Sequence, residues 1–234
     1  MDKIPKKIHY CWFGKNQKPD LVLKCIESWK KYCTDWEFIE WNEENFDVNS
    51  NPFTKKMYAN KKWAFVSDYV RLNALEKFGG FYLDTDMLLL KSLNNFLNYD
   101  LVLGRESDEI ISSGMIGVIK EHQYISICKD YYNNHPDIVE TIPRIMTALH
   151  EKINHIDNEI ILPPKTFYPF DANNIKKYQG QDLGNDVYGV HLWNYSWGHP
   201  LNRFFKKIGI HSFGKKITEI LGIKKILKKM LGFE

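Results

Sequence analysis

Asp84 and Asp86 stand one residue apart within the apolar run FYLDTDMLLL. In extended backbone, residues i and i+2 project to the same side, so such a pair presents its carboxylates together. Two carboxylates so placed can hold a hard divalent cation and leave positions open for phosphate oxygens. A bare D-x-D is also what a solvated turn looks like, so its neighbours matter. Ser67, Asp68 and Arg71 fall at i, i+1 and i+4 along one edge of a helical segment, with Asp68 and Arg71 an i, i+3 pair. On an exposed helix that pair is a surface salt bridge worth about 0–1 kcal/mol. Here the flanking positions are apolar, which places it at a buried edge, where a carboxylate and a guanidinium offer acceptors and donors to sugar hydroxyls.

The elements that must position these groups are legible from periodicity. Residues 6–12 read as a short buried strand, ended by Phe13-Gly14. Residues 20–32 carry Leu21, Val22, Cys25, Ile26 and Trp29 at helical spacing, and residues 36–41 alternate as a second strand. The stretch from Asn42 to Pro52 is rich in Asn, Asp and Glu and reads as a loop. A helix over Trp63–Phe78 follows, with Phe65, Tyr69, Leu72 and Leu75 at helical steps and Gly79-Gly80 as its stop. FYLDTDMLLL reads as a buried strand running into something polar, with the acidic pair at its end, residues 100–104 and 110–119 as further strands, and 121–134 and 140–154 as helices. The Pro-rich ILPPKTFYPF reads as an extended connector, and VYGVHLW as the last strand of the core. Strands alternating with helices over the first half indicate an α/β fold with a largely parallel sheet. In such sheets ligands bind beyond the carboxyl ends of the strands, where Asp84 and Asp86 fall.

The 234 residues suffice for one domain with a sizeable core. Hydrophobic content of 44% and charged content of 26% exclude a disordered chain or a fibre. Aromatics at 15% suit a cleft that stacks flat rings. The net charge of +3 is uneven: from Arg203 onward nine Lys/Arg face two Glu, so the body before them is weakly acidic. A nucleic-acid binder would want basic residues across a folded face, so none is expected as a partner. Cys11, Cys25, Cys33 and Cys128 form no CxxC pair and no zinc spacing, and are expected as buried thiols. Apolar runs fall short of the roughly 20 residues of a membrane span. The opening MDKIPKKIHYCWFG has no apolar signal core, so a cytoplasmic protein is expected.

The string SDYVRLNALEKFGGFYLDTD resembles the signature of glycosyltransferase family 32, the sugar transferases that carry a DXD motif. The family pattern, SD-x-x-R, a helix, then GG-x-Y-x-D-x-D, is met at Ser67, Asp68, Arg71, Gly79, Gly80, Tyr82, Asp84 and Asp86. IPKKIHYCWFG is similar to the family's opening strand, ILPPKTFYPF to its Pro-Tyr-Pro connector, and HLWNYSW to its closing H-x-x-x-x-S-W. More distantly the chain resembles the catalytic domains of the large clostridial glucosylating toxins. The resemblance spans about residues 4–197.

The resemblance implies a Rossmann-like GT-A fold over residues 1–200, a nucleotide-sugar donor (a UDP-sugar favoured over a GDP-sugar) and Mn²⁺ or Mg²⁺. By carry-over Asp86 is a metal ligand, Asp84 binds the metal or the donor ribose, and His191 is a third ligand. Asp68 and Arg71 hold the donor sugar, Trp12 stacks on the nucleobase, and Ser196 and Trp197 close over the diphosphate. The Ser112-Ser113-Gly114 interruption faces the acceptor. His9 and His122 are given no role. The family is retaining, and transfer of a hexose to a polysaccharide or lipid-linked glycan, as in capsule or lipopolysaccharide synthesis, is the expected activity. A toxin-like protein glycosyltransferase, a metal-dependent phosphohydrolase and a non-enzymatic sugar-binding module are the competing readings.

Residues 201–234 lie outside the resemblance. From Lys215 to Gly232 apolar residues recur at three and four while lysines fall largely off that face. The pattern fits a helix lying on an anionic membrane through residues 212–234, which would make the protein peripheral at the inner face. A terminal helix packed on the domain shows the same pattern.

Overall fold

The computed structural model describes residues 3–153 and 158–194. The expected tail helix, the boundary at 200, Ser196 and Trp197 all lie outside these residues.

The first half of the chain lays down β1 (Lys7–Cys11), α1 (Asp20–Tyr32), β2 (Glu37–Trp41), α2 (Pro52–Ala59) and α3 (Trp63–Phe78). Then come β3 (Gly80–Leu83), β4 (Met87–Leu89), β5 (Leu101–Arg105), β6 (Ile111–Val118), α4 (Gln123–Asn134), α5 (Ile142–His150), β7 (Glu159–Leu162) and β8 (Gly189–His191). Six strands form the central sheet in the order β2-β1-β3-β6-β5-β7. β1 is parallel to β2 and β3, and β5 to β7, whereas β6 runs antiparallel to both of its neighbours. The α/β class and the mostly parallel sheet are as the alternation of elements indicated. β4 and β8 form a separate antiparallel ribbon.

Strand alternation divides the core between the two faces of the sheet. Ile8 and Tyr10 of β1, Phe81 and Leu83 of β3, and Val102 of β5 pack with α1 residues Val22, Cys25, Ile26 and Trp29. Cys11, Tyr82, Leu101 and Leu103 point the other way, into the core shared with α2, α3, α4 and α5. α3 is wedged among sheet, α2 and α4, so it buries most of its circumference rather than one stripe, Asp68 and Arg71 included. All four cysteines are buried free thiols.

α3 stops where a residue with positive φ is required. Gly79 (φ 62°) donates its N–H to Leu75 O at 2.8 Å, and Gly80 (φ 101°) starts β3. A Cβ at Gly80 would sit 2.9 Å from both the Cβ and the carbonyl oxygen of Lys7, so the chain can pass β1 here only as glycine.

Two expectations change, and one stretch with no expected element is helical. Residues 52–59 are helical: Asn51 Oδ1 caps α2 by accepting from Phe53 and Thr54 N–H, and Pro52 supplies a preset φ at the first turn. The connector carries β7 and a 3₁₀ turn at Pro164–Thr166. VYGVHLW contributes β8 to the small ribbon, not to the central sheet.

Candidate functional site

Residues 84–86 are not extended. Met87 N–H donates to Asp84 O at 2.8 Å, closing a turn between β3 and β4 where the extended end of a strand was expected. The two carboxylates are therefore brought together by a turn and its ties, not by strand alternation. Asp84 N–H donates to Gly114 O of β6 and Leu192 N–H donates to Asp86 O, each at 2.9 Å. The β4–β8 pairing sets Met87 opposite His191 and so delivers the imidazole to the turn.

Asp84, Asp86 and His191 each offer a ligand atom, and the three atoms lie within 4.8 Å of one another. His191 Nε2 is 3.2 Å from Asp86 Oδ1. Among the described residues, His191 Nδ1 is a buried nitrogen with no hydrogen-bond partner, an uncommon condition that a further ligand would relieve. Burial alone would lower the His191 pKa, but the Asp86 carboxylate, helped by Asp84 and Glu106, holds it above the ordinary value. The site thus concentrates negative charge that draws a proton onto the imidazole or a cation into its place. Two carboxylates and one imidazole suit Mn²⁺, which accepts oxygen and nitrogen donors, so these residues fit the cation that the resemblance implies.

Behind Asp84 lies Arg71, 4% exposed. Its Nη1 is 3.2 Å from Asp84 Oδ1 and donates to Ser113 O at 2.8 Å. Its Nη2 donates to Asp68 Oδ1 at 2.9 Å and its Nε to Ser67 O at 3.3 Å. The guanidinium carbon stands 4.4 Å from the centre of the Tyr82 ring, and Tyr82 OH donates to Asp84 Oδ1 at 3.1 Å. Every nitrogen of Arg71 therefore faces protein, and its geometry is that of a clamp between α3, β6 and the acidic turn. Burial works against its charge, yet Asp84 first, then Tyr82 and Asp68, hold its pKa raised. Asp68 moves the opposite way for an acid: burial pushes its carboxyl up to about 7, with Arg71 opposing and Asp84 adding to the rise. One guanidinium is shared by two acids, and Asp68, whose side chain is 10% exposed against 28% for Asp84, is the less hydrated.

Trp12 follows β1 directly and is half-buried, its Nε1 donating to Asn16 O at 2.7 Å. It borders a cleft of about 380 Å³ that Lys15, Asn16, Lys18, Glu40, Asn42, Glu43 and Glu44 complete. Lys18 Nζ pairs with Glu40 at 2.7 Å and lies 5.9 Å from the Trp12 ring centre. The cleft opens at the carboxyl ends of β1 and β2, and β3, which leads into Asp84, is the next strand along. Gly14 holds its wall: its N–H donates to Glu43 Oε1 at 2.7 Å, and a Cβ there would lie 2.7 Å from Trp63 Nε1.

Three contributors carried no usable sequence signal. His9 is fully buried, its Nε2 2.9 Å from Gly79 O and its Nδ1 accepting from Trp41 Nε1 at 3.1 Å, so it ties β1 and β2 to the glycine turn that feeds the site. Tyr168 arrives from the connector with its ring against His191. Glu106, partly buried just beyond β5, has its carboxyl pushed up by burial and feels the charges of His191 and Asp84. Ser113 and Gly114 support Arg71 and Asp84 from β6, a placement the strand interruption only hinted at.

Residues 19–103 match the family model described as a glycosyltransferase sugar-binding region containing DXD motif. Among curated relatives, lactosylceramide 4-alpha-galactosyltransferase of Rattus norvegicus is 30% identical over 148 residues, which is 55% of this chain and 40% of that protein. Inositol phosphoceramide mannosyltransferase 3 of Schizosaccharomyces pombe is 29% identical over 151 residues, 63% of this chain and 39% of that protein. The chain thus spans less than half the length of either. In fold, it is similar to the PaToxG glycosyltransferase, with a TM-score of 0.53 at 18% identity over 65% of this chain and 70% of that one. The resemblance to the DXD sugar transferases is borne out by these matches, as is the GT-A fold. The matched residues include Asp84 and Asp86, which the β4–β8 ribbon brings beside His191.

Proposed function

We propose that this chain is a hexosyltransferase that takes a nucleotide-sugar donor in the Trp12 cleft and transfers its sugar to a glycan or glycolipid beside Asp84, Asp86 and His191. The observation that carries this is the meeting of two carboxylates and one imidazole within 4.8 Å at the carboxyl edge of the sheet that also bounds the cleft. Trp12 offers an aromatic face to a nucleobase, a contact worth about 1 kcal/mol. Asp84, Asp86 and His191 would hold Mn²⁺ or Mg²⁺. Bound there, the cation would supply Lewis-acid stabilisation of charge on the departing diphosphate. Asp68 would accept from a donor-sugar hydroxyl, and Arg71 fixes Asp68 and Asp84 at once. Ser196 and Trp197 would cover the diphosphate.

The donor favoured is a UDP-hexose. Both relatives are named for transfer to ceramide-linked lipids, which supports a glycolipid or lipid-linked glycan as acceptor here. The alpha linkage in the name of the galactosyltransferase is what retention from an α-linked donor gives, so a retaining outcome is favoured. Among the described residues no helix is long and apolar enough to cross a membrane. A lipid-linked acceptor would be met at the cytoplasmic membrane face, with residues 212–234 as the basic contact.

A panel of UDP- and GDP-hexoses, scored by thermal shift with and without Mn²⁺, tests the donor assignment. Ligand-dependent stabilisation grows as RT ln(1 + [L]/Kd), so the true donor class stands out. Stabilisation by UDP-hexoses that requires Mn²⁺ is expected; equal stabilisation by GDP-hexoses, or none by either, contradicts it.

A further inference from the structure

Tyr168 is 5% exposed and sits between two of the three candidate ligands. Its ring centre lies 5.2 Å from that of His191, tilted by 39°. Trp193 meets the same imidazole edge-on at 4.5 Å and 90°, so the His191 ring is gripped by two aromatics. The connector that carries Tyr168 also fixes the ribbon: His191 N–H donates to Phe167 O at 2.9 Å and Tyr188 N–H to Thr166 O at 2.8 Å.

The hydroxyl of Tyr168 points to the acidic side. Ser112 Oγ donates to it and itself accepts from Gly114 N–H at 3.0 Å. A Cβ built on Gly114 would lie 2.7 Å from Tyr168 OH and 2.8 Å from Asp84 Oδ2, so both oxygens border the space that one methyl group would fill. Asp84 Oδ1 already faces Arg71 and Tyr82, which leaves Oδ2 for a cation. Ser112 and Tyr168 share two hydroxyl protons, and only one lies between them. The other can serve Asp84 Oδ2 or an oxygen next to it.

We propose that Tyr168 is a positioning residue of the cation site, its hydroxyl setting Asp84 through the gap at Gly114 and its ring setting the plane of His191. This rests on reading Asp84, Asp86 and His191 as that site. Groups that orient ligands from behind typically change metal affinity by about 10- to 100-fold when altered.

The test is an Mn²⁺ titration of chelator-stripped full-length chain, following free Mn²⁺ by EPR, with the melting temperature of each metal-free protein recorded alongside. Tyr168→Phe removes one oxygen and keeps the ring, and Ser112→Ala removes the oxygen's partner. About tenfold weaker Mn²⁺ binding is expected for Tyr168→Phe, and a shift in the same direction for Ser112→Ala, with little change in metal-free melting. A merely structural tyrosine would lower melting and leave the Mn²⁺ affinity alone. Unchanged affinity in Tyr168→Phe overturns the proposal while leaving the cation site standing. If that variant does not fold, unchanged affinity in Ser112→Ala overturns it instead. Failure of the unaltered chain to take up Mn²⁺ overturns the cation reading and this proposal together.

Discussion

Arg71 Nη1 stands 3.2 Å from Asp84 Oδ1 while Nη2 holds Asp68 Oδ1 at 2.9 Å, so one guanidinium couples the middle of α3 to the turn that carries both acidic candidates. A lysine offers one compact charge and cannot span Asp68, Asp84 and the Ser113 carbonyl together. Arg71→Lys is therefore expected to lower kcat/KM for donor turnover by about 100-fold, the scale of a small misplacement at a reacting centre. The circular dichroism spectrum should be retained. A variant with unchanged kcat/KM would confine Arg71 to holding the fold.

Asp86→Asn keeps the shape of the turn and removes the charge beside His191 Nε2. Mn²⁺ affinity should fall about tenfold or more, because an amide is a poor substitute for a carboxylate ligand. Asp86 is also the strongest influence raising the His191 pKa, so that pKa should drop in the variant, and NMR titration of the imidazole reads it directly. Full Mn²⁺ affinity in Asp86→Asn would remove Asp86 from the ligand set.

Gly114→Ala puts a methyl group where Tyr168 OH and Asp84 Oδ2 approach, at 2.7 and 2.8 Å. Something must move, and the Asp84 carboxylate is the freer of the two because Tyr168 is packed against His191 and Trp193. Activity should fall about tenfold or more, with a stability loss of about 1–3 kcal/mol from overpacking. Wild-type turnover in this variant would show that the spacing at Gly114 is not critical.

His9 is buried as a neutral imidazole and burial lowers its pKa to about 4, against 6.5 when exposed. Between those values the unfolded chain binds more protons than the folded one, so stability rises with pH across that window and is lost as pH falls from 6.5 towards 4. The contribution is about 3 kcal/mol. His9→Gln can still donate to Gly79 O and accept from Trp41, yet does not titrate. Urea unfolding at several pH values should show a flatter acid limb for His9→Gln than for the unaltered chain. Parallel limbs would mean that His9 does not titrate across folding.

Much of the fold was legible because periodicity and stop signals agreed. α1 and α3 fall where the spacing of Val22, Cys25, Ile26 and Trp29, and the Gly79-Gly80 stop, put them. α2 was readable in principle from Asn51-Pro52, a cap followed by a preset φ, but the polar run before it looked like loop alone. Asp84, Asp86 and His191 were named from the motif, and the structure sets them side by side. The route was not legible: the pair reads as the extended end of a strand, and only the Met87 N–H to Asp84 O bond and the β4–β8 ribbon show why the three groups meet. Tyr168 and His9 gave no signal because their roles depend on non-local partners, Ser112 and His191 for one, Trp41 and Gly79 for the other.

On the reading proposed here, Asp84, Asp86 and His191 form a cation-dependent centre for nucleotide-sugar turnover. The most direct measurement is release of UDP from a UDP-hexose panel by chelator-stripped chain, before and after Mn²⁺ is restored, with the Asp84→Asn, Asp86→Asn double variant run beside it. Turnover of at least one UDP-hexose should appear only with Mn²⁺ and be absent from the double variant at every Mn²⁺ concentration. Turnover by the stripped chain without a cation, or by the double variant, would contradict it.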